Sequence, residues 1–180
     1  MKKIVFLATI IGLGVWLFWV PTVTSEADLG DGKTVVLRGQ PLFGWHSDWS
    51  RQLVISDGWS SETVKLFEDT GWWRGSALYR DAEGGYLLDD GIDYVVFALC
   101  PPRFIDPPSR QGNPGAASEP APEAGCHPGP LEAEAPASRY HDQGEGLRFL
   151  GIFVETHPGL AFRSWRDVEE PMPDSIDAGG

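Results

Sequence analysis

The apolar and polar positions divide the chain into one long apolar run, a series of short alternating runs, and a stretch with little pattern. The long run is IVFLATIIGLGVWLFWV, residues 4–20, preceded by Lys2 and Lys3 and followed by Pro21 and the small polar run TVTSEAD. The short runs are TVVLRG (34–39), RQLVIS (51–56), ETVKLFED (62–69), SALYRD (76–81), GYLLDD (85–90), DYVVFAL (93–99), LRFLGIFVE (147–155) and LAFRSW (160–165). Their length, their β-branched and aromatic content, and the turn signals between them predict strands. Those signals are Asp57-Gly58, the GWWRG segment, Ala82 to Gly85, Asp90-Gly91 and His157-Pro158-Gly159. Short strands joined by tight turns predict a mainly β fold: a small antiparallel meander, sandwich or partly open barrel. An N-terminal apolar leader helix and a long Pro-rich loop complete that expectation. DYVVFAL and LGIFV are apolar on both alternations, which predicts cover on both faces. SSETVKLFED begins like a helix capping box, yet its apolar spacing fits a strand and is read as one.

Composition refines the boundaries. Residues 101–146 hold ten of the fifteen prolines and little that could offset ordering entropy, so they read as a flexible insertion. Residues 1–27 read as leader, 28–165 as the β domain with that insertion, and 166–180 as an acidic tail. No repeat at solenoid or propeller period is present.

A positive start, an apolar middle and a small polar end are the three parts of a secretory signal. Cleavage after Ser25 or Ala27 fits the residues there. The same run would reach about 25 Å as a helix and ends in Trp16 and Trp19, the aromatic edge of a membrane anchor. Both readings send the body out of the cytoplasm, secreted, periplasmic or anchored with the body outside. The formal net charge of -12 repels nucleic acid and excludes it as a partner. Export favours pairing the two cysteines, Cys100 and Cys126. The loop of about 27 residues they would close is worth roughly 3–4 kcal/mol on a chain-entropy account.

Candidate chemistry is thin. DGKT (31–34) ends like a phosphate loop, but Ala27 stands where its leading glycine belongs. His46, Ser47, Asp48 and Ser50 supply the residue types of a hydrolase triad within one loop, without a nucleophile elbow. Glu68, Asp69, Asp89, Asp90 and Asp93 could serve a glycan or peptide hydrolase, although Asp-Gly pairs are foremost hairpin signals. Cys126 and His127 lack metal-ligand spacing. No metal and no cofactor is expected.

Aromatic residues remain. Trp45, Trp49, Trp59, Trp72, Trp73 and Trp165 lie beyond the leader. Loops on a rigid β scaffold are where binding residues gather, which singles out Trp72, Trp73 and Arg74 in GWWRG and Trp45 and Trp49 in FGWHSDW. If Trp72 and Trp73 are extended, one fills the core while the other faces out or stacks on Arg74. The expectation is a small exported bacterial-type protein, non-enzymatic, that binds a protein or glycan or serves the envelope, with membrane association through residues 4–20. An envelope hydrolase using the carboxylates or His46 is the alternative.

Overall fold

The computed structural model describes residues 22–41, 48–66, 69–70, 73–91, 94–106, 128–140, 146–156 and 159–172. Eleven strands and one short helix are formed among them: β1 (Val23–Gly30), β2 (Lys33–Pro41), β3 (Asp48–Ser56), β4 (Ser61–Lys65), β5 (Asp69–Thr70), β6 (Ser76–Arg80), β7 (Tyr86–Asp89), β8 (Tyr94–Leu99), β9 (Pro102–Asp106), α1 (Pro130–Ala133), β10 (Arg148–Thr156) and β11 (Gly159–Ser164). They make two antiparallel sheets. One runs β1-β2-β3-β4 with β5 beside β3, and the other runs β11-β10-β6-β7-β8-β9.

Alternation decides which face of the first sheet is dry. Ala27 and Leu29 of β1, Val35 and Leu37 of β2, and Leu53 and Ile55 of β3 point inward and share one core with Leu78, Tyr86, Leu88, Val95, Phe97, Leu99, Leu150 and Phe153 of the second sheet. The two sheets therefore face each other across a common apolar layer. The intervening positions, among them Thr24, Glu26, Asp28, Arg38, Gln40 and Gln52, are exposed, as a one-sided sheet requires. The second sheet is covered on both faces. Ala77, Tyr79, Leu147, Phe149 and Ile152 form a smaller cluster on its outer side, joined by Trp165 and Val168 from the end of the chain. A bulge between Phe149 and Gly151 shifts the phase of β10, so that Leu150 and Phe153 reach one cluster while Phe149 and Ile152 reach the other.

Three boundaries differ from those the sequence suggests. The first strand starts at Val23, so the domain takes in five residues assigned to the leader, and Ala27 is fully buried. Its inward residues are Ser25, Ala27 and Leu29, too small and mixed to announce a strand without β2 beside it. Within the proline-rich stretch, Pro102–Asp106 forms an edge strand on β8, where proline is tolerated. Residues 128–140 are also placed, with Ala137 bridging Arg148 beside β10. The start of the acidic tail turns back as well: Ser138 Oγ and the Arg139 amide donate to the Glu170 carboxylate at 2.5 and 2.6 Å. Residues 1–21, 107–127 and 173–180, with most of the leader and the middle of the insertion, lie outside the described residues. Among the described residues, no helix is long and apolar enough to cross a membrane.

Candidate functional site

Each end of the two-layered body carries a buried polar bridge between the sheets, with the apolar core between them. At one end, Arg51 of β3 is fully buried and donates to the Asp90 carboxylate, which follows β7. Ser76 Oγ donates to the same Asp90 oxygen at 2.6 Å and accepts from Trp73 Nε1 at 3.0 Å. The Arg51 guanidinium lies 4.9 Å from the Trp73 ring centroid, a cation–π contact. A buried arginine without its carboxylate would be costly; here charge, hydroxyl and ring close on one another.

The opposite end is organised by Glu132 of α1, also fully buried. Its Oε2 accepts from Lys33 Nζ at 3.3 Å and from the Gly129 amide at 2.7 Å, with Arg80 Nε at 3.7 Å. Its Oε1 accepts from the Tyr86 hydroxyl. Burial, reinforced by the Glu132 charge, raises the Tyr86 phenol above its ordinary range and keeps it a donor. Gly129 is required by close approach: a Cβ there would lie 1.7 Å from the Leu29 carbonyl oxygen. Lys33 of the DGKT motif is thus a buried structural cation.

Beyond Glu132, at the same end, two hairpin turns of the first sheet stand side by side. The β1–β2 turn passes through Asp31 in the left-handed region, and the β3–β4 turn reads Asp57-Gly58-Trp59-Ser60. The turns touch through glycines, a Cβ on Gly58 lying 3.3 Å from the Gly32 carbonyl oxygen. Asp57 Oδ1 accepts from the Trp59 and Ser60 amides at 2.9 and 2.7 Å, while Ser56 Oγ accepts from the Gly58 amide and donates to the Ser60 carbonyl oxygen. Those amide bonds, from Ser60 first and Trp59 next, hold the Asp57 carboxyl below its ordinary pKa of 3.8 and so keep it ionised. On this pinned turn Trp59 is 97% exposed.

The residues singled out from sequence are spread widely. Trp73 is half-buried against the main core and stacks on Arg51 rather than on Arg74, which is exposed. Trp49 lies in β3 with its backbone opposite Pro41 and Asp69. Trp45, Trp72, His46, Ser47, Glu68, Asp93, Cys126 and His127 lie outside the described residues. Cys100 sits half-buried at the β8–β9 turn, packed on the core. The neighbours Asp89 and Asp90 diverge. Asp90 is committed to Arg51 and Ser76 inside, while Asp89 lies near Tyr79, whose pKa burial raises first and the Glu170 and Asp89 charges raise further. These two acids do not face one cleft, as an acid–base pair on a glycoside must. Among the described residues no three His, Cys, Asp or Glu side chains gather to hold a metal ion.

Trp59 is the residue that sequence reasoning passed over. Its signal was present: a tryptophan directly after Asp-Gly occupies a hairpin tip, where the core is out of reach. Compared with protein-family models, curated proteins and solved structures, the chain matches none.

Proposed function

We propose that this chain is a small exported bacterial-type β protein that acts by binding rather than catalysis, with the Trp59 turn as its contact point. The observation that carries this reading is a 97% exposed tryptophan on a turn pinned by Asp57 and Ser56. An indole left in water forgoes the stabilisation its burial would give, while a fixed turn loses little entropy when a partner covers it. The apolar run at residues 4–20 supports export or anchoring; cleavage after Ser25 or Ala27 would remove part of β1, whereas an uncleaved anchor would leave that strand whole.

The test uses the full chain and its Trp59→Ala variant, each held in detergent micelles that occupy residues 4–20 and sedimented with isolated bacterial cell walls. Wild type is expected in the pellet and the variant in the supernatant, with matching thermal unfolding. Equal partitioning of the two proteins would overturn the reading. The same reading includes a Cys100–Cys126 disulfide at the base of the proline-rich stretch. Alkylation of the non-reduced protein tests it, and modification of both thiols rejects it.

A further inference from the structure

We infer that the ligand of the Trp59 end is a basic stretch of polypeptide, held through arginine or lysine side chains; this rests on reading that end as a binding site. The register of the first sheet places the charges. Asp28 pairs with Thr34, Thr34 with Ser56, and Ser56 with Ser61, which makes the outward row nearest the two turns. Asp31 stands on the neighbouring turn and Asp57 at the root of the Trp59 turn, whereas Glu62 pairs with the buried Ile55 and so belongs to the other face of β4. Asp28 and Asp31 are exposed, and Asp57 is half-exposed and kept ionised. The cation of this stretch, Lys33, points inward to Glu132 and leaves the carboxylates uncompensated by it.

The outer face is polarised as a result. Its far row runs Thr24, Arg38, Gln52, Lys65 and carries two cations, so the acidic character belongs to the Trp59 end. An exposed indole on a turn that carries Asp57 and stands beside the turn of Asp31 is complementary to a guanidinium or ammonium group. The ring face attracts the cation, the carboxylates take its N–H donors, and the apolar stem lies along the indole. The net charge of -12 adds long-range attraction for the same partners. A neutral sugar would use the ring and gain nothing from the charges.

The experiment uses the full chain in a polyoxyethylene detergent micelle, labelled with 5-fluorotryptophan, the Trp59 resonance being assigned by its loss in Trp59→Phe. Hexa-arginine and cellohexaose are titrated separately. Hexa-arginine is expected to shift the Trp59 line saturably while the Trp73 line stays in place, with affinity that falls at high salt. The double variant Asp28→Asn, Asp31→Asn should weaken this about fivefold, the range for exposed charge pairs. Trp59→Ala should weaken it about as much or more, given an exposed cation–π contact, read by calorimetry. A shift with cellohexaose alone overturns the basic ligand and leaves the binding site standing. A Trp59 line moved by neither probe, or hexa-arginine affinity unchanged in Trp59→Ala, also overturns the basic ligand. The sedimentation result then decides separately whether this end binds at all.

Discussion

The two ends of the body treat a tryptophan in opposite ways. At the Arg51 end, Trp73 stacks on a guanidinium, donates to Ser76 and packs on the core. At the Glu132 end, the polar bridge is complete without any tryptophan, and Trp59 stands outside it on a turn that holds itself. The difference teaches that chain position relative to the buried charges, and not the density of aromatics in the sequence, sorts the rings. Trp73 lies three residues before Ser76 and so reaches the Asp90 bridge. Trp59 lies past the last rung of β3 and β4, Ser56 opposite Ser61, where the opposite sheet offers nothing to cover it.

Breaking the bridge gives the largest effect. Asp90→Ala takes the carboxylate from a fully buried guanidinium and is expected to cost about 3–5 kcal/mol in chemical denaturation. A loss under about 1 kcal/mol, the level of an exposed pair, would show that other contacts hold Arg51. The tryptophans come next. Trp73→Ala should cost about 2–4 kcal/mol through lost packing and the lost ring under Arg51. Trp59→Ala should stay within about 0.5 kcal/mol of wild type. Equal costs at the two positions would dissolve the contrast between the two ends.

The smallest effect is local and depends on pH. Asp57 has a folded pKa below 3.8, so its contribution to the turn is present above 3.8 and is lost as pH falls through the depressed value. Amide exchange at Trp59 and Ser60, corrected for intrinsic pH dependence, should therefore rise in that window. Protection that tracks only global unfolding would show that the turn does not depend on this carboxylate.

Much of the frame was legible. The eight alternating runs correspond to strands because their inward positions are large and apolar, as in Val35 and Leu37, or Leu53 and Ile55. The double apolarity of LGIFV correctly indicated cover on both faces. What escaped notice depends on partners distant in the chain. Ser25 and Ala27 read as a cleavage region until β2 lies beside them. Glu132 sits in a stretch whose prolines and alanines read as loop, and only the fold brings Lys33, Arg80 and Tyr86 to it. Asp90 reads from sequence as a hairpin residue beside Gly91, because the charge that claims it comes from the other sheet.

The two bridges also differ in when they can close. Arg51 and Asp90 are 39 positions apart, whereas Lys33 and Glu132 are 99 apart. On loop length alone the longer closure costs about 0.8 kcal/mol more, and a chain emerging N-terminus first offers Glu132 only after both hairpins of the first sheet are available. The Arg51 end is therefore expected to assemble early and the Glu132 end to lock last, an order that pulse-labelled amide exchange at Leu78 and Gly129 would read directly. The acidic turn bearing Trp59 would then sit over the part of the molecule that sets latest.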